Sequence, residues 1–117
     1  MKQIVKVYIS GPYSSGDQVL NTRLAMGVWN YLFGKGYTPF CPHWGMAQHL
    51  CLPLPWEQWI EYDLEMLRGH DVLYRMPGES KGADIEVAEA ERLGIPVVYS
   101  FSELVAQFPV SPRSNSL

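Results

Sequence analysis

Residues 71–99 read DVLYRMPGESKGADIEVAEAERLGIPVVY, and this stretch decides the fold. Asp71–Arg75 is a short strand-favouring run, and Met76–Lys81 is a polar turn with Pro77 and Gly78 at its centre. Gly82–Leu93 repeats its apolar residues at helical spacing, and Gly94 stands where such a helix stops. Ile95–Tyr99 is β-rich again. Strand, turn, helix, glycine stop and strand form the unit that builds a parallel sheet with a covering helix.

The unit recurs upstream. Ile4–Ser10 reads as a strand closed by Gly11-Pro12. A helix is predicted over Asp17–Phe33 from the spacing of Leu20, Leu24, Gly27, Val28 and Tyr31, with Gly34 and Gly36 ending it. Tyr37–Cys41 is a second strand, Pro42–Pro55 a long loop, Trp56–Arg68 a helix and Ser102–Phe108 a last short helix. These elements predict a small doubly wound α/β domain over 1–108, a parallel sheet of about four or five strands with helices on both faces. Residues 109–117 are rich in proline and serine and read as a tail. Ligands of such sheets bind beyond the carboxyl ends of the strands, which singles out the loops Gly11–Gly16, Pro42–Pro55 and Met76–Gly82.

Composition narrows the function. The chain has 117 residues, 47% of them hydrophobic, and a formal charge of −3. That charge offers no general attraction to a nucleic-acid polymer. No apolar run nears the ~20 residues of a membrane span, and the start lacks a secretory core, so a cytoplasmic protein without a membrane partner is expected. Cys41, His43, His49 and Cys51 do not have the spacing of a zinc site, and both cysteines are expected to pack as small hydrophobes. No metal or organic cofactor is expected.

Two carboxylates break the pattern. At about 100° per residue, Asp63 falls within the stripe formed by Trp56, Trp59, Ile60, Leu64 and Leu67. Glu86 falls between Ala90 and Leu93, within the stripe of Ala83, Val87, Ala90 and Gly94 that has Leu93 at its margin. A buried carboxylate is costly unless paired or hydrogen-bonded, and either one alone reads equally well as a cap on a backbone N–H or a partner of an arginine; two of them at one sheet edge suit acid and nucleophile roles at a glycosidic bond. A serine and a lysine, Ser80 and Lys81, open the third helix with Gly82, where free N–H groups favour an anion. The simpler reading there is a capping serine and a solvated lysine. His43 and Trp44, after the second strand, are candidates to line a base pocket.

Three segments carry a family resemblance: VYISGPYS in the first strand and turn, YDLEMLRGHDVLYRM in the centre, and ESKGADIEVAEAERLGIPVVY. Over about residues 4–99 the chain resembles the nucleoside 2-deoxyribosyltransferase superfamily. Its motifs are closest to those of the 2′-deoxynucleoside 5′-monophosphate N-hydrolases. The resemblance implies that Glu86 attacks the anomeric carbon and that Tyr8 positions it. Asp63 would contact the sugar hydroxyl or protonate the departing base. The Gly11, Pro12 and Tyr13 turn would help bind substrate, a small nucleoside or nucleotide. Ser80 stands where transferases acting on free nucleosides tend to carry aspartate and the hydrolases serine. A serine accepts a phosphate without charge repulsion, and Lys81 would add charge. The sequence departs from the hydrolases at Pro12, where they carry a further phosphate-binding serine; Ser111 is the candidate for a serine lent by a neighbouring subunit. The resemblance also implies a homodimer or a larger homo-oligomer.

Overall fold

The computed structural model describes residues 3–114. Four strands form one parallel sheet: β1 (Lys6–Ser10), β2 (Thr38–Phe40), β3 (Val72–Arg75) and β4 (Val97–Val98), in the order β2-β1-β3-β4. Val7 pairs with Pro39 on one side and Val72 on the other, and Leu73 pairs with Val97. The strands alternate with α1 (Gln18–Gly34), α2 (Gly45–Cys51), α3 (Trp56–Leu67), α4 (Lys81–Leu93) and α5 (Phe101–Gln107). The expected doubly wound α/β architecture is therefore present, with four strands.

Strand alternation sorts the helices. Val7 and Ile9 point into a core with Ala25 and Leu32 of α1 and Leu104 of α5. Tyr8 points the other way and packs with Leu67 of α3, Leu73 and Ala90 of α4. Val7, Tyr8 and Ile9 are fully buried, as a central strand covered on both faces requires.

Local chemistry sets the helix ends. The Asp17 carboxylate accepts from Val19 N and Leu20 N at 2.9 and 3.0 Å to start α1. Ser80 Oγ accepts from Ala83 N at 3.1 Å to start α4. Gly94 ends α4 in the left-handed region at φ +76°, a conformation that costs glycine little.

Three expectations need correction. Pro42–Pro55 is not all loop: Pro42–Trp44 forms a 3-10 turn and α2 follows directly. Met46, Ala47, Gln48 and Leu50 favour a helix, but seven residues between prolines are too short to show a period. The residues used to predict α1 are mostly not its core face. Leu20, Leu24 and Tyr31 are about half exposed, while Thr22, Ala25 and Leu32 are buried. The helix carries apolar residues on two sides, so the spacing that predicts the helix does not mark its core face. Of the two cysteines, only Cys41 packs as a core hydrophobe, and Cys51 is exposed.

Of the stretch read as a tail, residues 109–114 lie against the domain, and 115–117 fall outside the described residues. Val110 packs on the core. Arg113 lays its guanidinium 3.9 Å from the centre of the Phe33 ring and donates to Phe33 O and Tyr37 O at 2.6 Å. Its backbone N–H donates to Gly34 O at 3.1 Å. The segment thus satisfies carbonyls that the end of α1 leaves open.

Candidate active site

The chain reverses direction across the sheet between β1 and β3, and the loops leaving these two strands meet at its carboxyl edge. Side-chain alternation on β1 sends Tyr8 and Ser10 to the same face, toward α4. There Tyr8 Oη donates to Glu86 Oε2 at 2.7 Å and Ser10 Oγ donates to Glu86 Oε1 at 2.6 Å. Both hydroxyls are fully buried, and Glu86 is 4% exposed. Each oxygen of the carboxylate thus has its own donor, at distances typical of charge-assisted bonds.

Asp63 of α3 is half-buried and interacts electrostatically with Glu86 and with Tyr8. Burial first, then the Glu86 charge, pushes the Asp63 carboxyl up to about 8. Burial also raises Glu86, against the pull of Ser10, Tyr8 and the Arg75 cation. Two carboxylates that feel each other's charge do not both ionise readily. The protonated form is favoured at Asp63, because both Glu86 oxygens already accept from hydroxyls. The Tyr8 phenol is raised well above its ordinary range, chiefly by burial and then by the two carboxylates, so it stays a donor.

The surrounding loops are braced. His43 is buried, and its Nε2 lies 2.8 Å from Pro12 O, so the N–H sits on Nε2 and fixes the first loop. The Tyr13 ring meets the His43 ring edge-on at 5.9 Å. Asn21 donates to Tyr13 O and Ser15 O at 3.0 and 2.7 Å. Gly11 packs tightly, since a Cβ there would sit 3.0 Å from Met76 Cβ and the Met76 side chain would have to give. Pro12 and Gly78 bring the two loops together, and a groove of about 300 Å³ runs between them, lined by Pro12, Ser15, Met76 and Glu79 among others. A larger groove of about 570 Å³ lies outside α4, and neither groove includes Asp63 or Glu86 in its lining.

Tyr8 and Glu86 therefore meet, and the Asp63 charge acts on Tyr8 and on Tyr13. Ser80 uses one lone pair as the α4 cap, which leaves its O–H free to donate. The Lys81 ammonium sits 5.4 Å from the centre of the Trp56 ring, at the mouth between α3 and α4. Gly82 lets the two helices approach, because a Cβ there would lie 3.3 Å from Ile60. Trp44 does not join the carboxylates. It is exposed over the β2 edge, beside Phe40 and Trp29. Ser111 lies against Gly36, where the chain enters β2, at the opposite end of the sheet.

Sequence reasoning missed Ser10 and Arg75. Ser10 is two residues after Tyr8 and so must share its face, a signal that was available. Arg75 donates to Met76 O, to Gly78 O at 3.0 Å and to Asp84 at 3.1 Å, which shapes the β3–α4 loop.

The fold is shared with solved nucleoside-handling enzymes. A 2-deoxyribosyltransferase from the psychrotolerant bacterium Bacillus psychrosaccharolyticus superposes with a TM-score of 0.57 at 19% identity, over 94% of this chain and 100% of that one. A 2-deoxyribosyltransferase from Leishmania mexicana superposes with a TM-score of 0.58 at 19% identity, over 97% of this chain and 81% of that one. No curated protein matches the chain. Residues 5–100, which hold the whole sheet and both carboxylates, match the family described as a domain of unknown function (DUF7768), and the chain belongs to that family.

Proposed function

We infer that the protein is an N-glycosidase that cleaves the base–sugar bond of a nucleoside or deoxynucleoside 5′-monophosphate. The observation that carries this reading is the buried carboxylate pair: Glu86 held by two hydroxyls, beside an Asp63 raised to about 8. An ionised carboxylate next to a protonated one is the arrangement that glycosidic cleavage uses. The shared fold with 2-deoxyribosyltransferases supports chemistry at this bond.

In the first step a Glu86 oxygen bonds to C1′ and the C1′–N bond breaks. Its electron pair stays on the base, which takes the proton of Asp63. In the second step water attacks C1′, Asp63 as carboxylate receives the water proton, and Glu86 leaves as carboxylate. Two displacements retain configuration at C1′. Ser80 is six residues before Glu86, about 9 Å along the helix axis. Its free O–H, the head of α4 and Lys81 make an anion site at that distance suited to a 5′-phosphate. Pro12 removes one donor that the resembling hydrolases use, so this chain relies on Ser80 and Lys81.

The exposed apolar residues, Leu20, Leu24 and Tyr31 on α1, Leu50 on α2 and Leu52 and Leu54 after it, support association with a second copy.

The test is base release, followed by chromatography, from ribo- and deoxyribonucleoside 5′-monophosphates and the matching nucleosides, with and without a second free base. Release from monophosphates by water alone is expected, lost by more than about 10³-fold in Glu86→Gln. Release only when an acceptor base is present would instead support base exchange. Full activity in a folded Glu86→Gln protein would remove the mechanism.

A further inference from the structure

We propose that Ser10 is a positioning residue for Glu86, the second half of a two-hydroxyl clamp whose first half is Tyr8. Its catalytic consequence rests on the glycosidase reading above; the clamp itself rests on geometry. The two donors come from one strand and engage different oxygens, Tyr8 on Oε2 and Ser10 on Oε1. A carboxylate with one donor can still turn about its terminal bond, whose torsion is broad. With one donor on each oxygen, its plane is fixed. Both hydroxyls are fully buried, so water does not compete for them. Two O–H donors also favour the ionised form over the protonated one.

The other groups facing Glu86 do not replace Ser10. Asp63 approaches from α3 and is the proton-bearing partner. Arg75 on β3 is a cation acting from a distance, its guanidinium spent on Met76 O, Gly78 O and Asp84. Cys41, beyond the end of β2, is a buried thiol pushed up to about 12 and carries no charge at neutral pH. During the reaction one Glu86 oxygen bonds to C1′ and the other becomes the ester carbonyl, still hydrogen-bonded. When water cleaves the ester, charge returns to the carboxylate and the donors stabilise it.

The test uses Ser10→Ala and Ser10→Cys in the full chain, with folding checked by thermal unfolding. Glu86 ionisation is followed by carbon-13 NMR of labelled glutamate side chains in an Asp63→Asn background, where Glu86 titrates without its partner. The signal is assigned by its loss in Glu86→Gln. The Glu86 midpoint is expected to rise by about one pH unit in Ser10→Ala. A smaller rise is expected in Ser10→Cys, whose thiol is a weaker donor. With Asp63 intact, kcat should fall by about 10- to 100-fold, KM should stay within about twofold, and the acid limb of the pH profile should move upward. An unchanged Glu86 midpoint, or a kcat loss equal at all pH values, would overturn the clamp. If the unaltered protein releases no base from any nucleotide, the glycosidase reading fails, and the NMR titration still decides the clamp.

Discussion

Asp63 is the residue on which pH acts. Its carboxyl has an ordinary value of 3.8 and is raised to about 8 in the fold. Between these values the folded chain holds a proton that the unfolded chain has released, so stability falls as pH rises across that window. The contribution is fully present below 3.8 and gone once pH has passed about 8. Asp63→Asn removes the titration while keeping the shape. Relative to the unaltered protein, this variant should gain stability between pH 5 and pH 9, by about 1–3 kcal/mol, the scale of one uncompensated buried polar group. Urea midpoints of both proteins at the two pH values measure it, and a constant difference would show that Asp63 is not protonated in the fold. Under the glycosidase reading proposed above, the same group would set the alkaline limit of activity. Base release should decline as pH rises through about 8. Asp63→Asn should lose about 10²- to 10⁴-fold in kcat, the usual weight of a general acid. Both carboxylates could be read in the sequence because each interrupts an apolar stripe. Ser10 could not be singled out that way, since a serine before Gly-Pro looks like the start of a turn.

At the scale of elements, the junction of α1 and β2 depends on a segment far away in sequence. Gly36 has φ +106°, and a Cβ there would lie 2.0 Å from Ser111 O and 3.1 Å from Val110 Cγ2. Backbone, not a flexible side-chain end, fills the space, so even alanine forces residues 110–111 away. Tyr37 Oη donates to Phe108 O at 2.8 Å and binds the same segment from the other side. Gly36→Ala should therefore cost about 3 kcal/mol or more, combining strain at positive φ with loss of the docked segment. Arg113→Ala removes two hydrogen bonds and a ring contact but leaves the path open, and should cost about 1–2 kcal/mol. Thermal unfolding of both variants tests the order; a Gly36→Ala protein as stable as the parent would contradict the packing. The segment lies at the amino end of the sheet, so Arg113→Ala should leave base release intact at temperatures where it is folded. None of this was legible from the composition of residues 109–117. Proline and serine there suggested a loose end, while the anchors are one valine, one arginine and a glycine about 75 residues earlier. The βαβ unit over 71–99 was legible because turn, cap and stop residues each act locally.

At the scale of the whole molecule, many large apolar side chains among the described residues remain exposed. On α1, Val19, Leu20, Leu24 and Tyr31 are each at least half exposed, on the side away from Ala25 and Leu32. At the end of α2, Leu50 and Leu52 are exposed by about two-thirds or more. Scattered surface leucines need no explanation, but a helix with a second apolar row has been shaped by something besides its own core. This is also why the α1 periodicity gives the helix but not its orientation: apolar residues lie on two sides, and a single sequence does not tell which row faces inward. Under the association proposed above, the second row meets another copy of the chain. Sedimentation at rising concentration should then show a homo-oligomer. Leu20→Glu with Leu24→Glu should shift it to monomer, because two desolvated charges at a contact are strongly unfavourable. The same pair should barely alter the unfolding of the monomer, since residues half exposed in the single chain contribute little to its core. A parent protein that stays monomeric at high concentration would instead leave the α1 row a solvent-facing surface, and the double variant would then change neither mass nor stability.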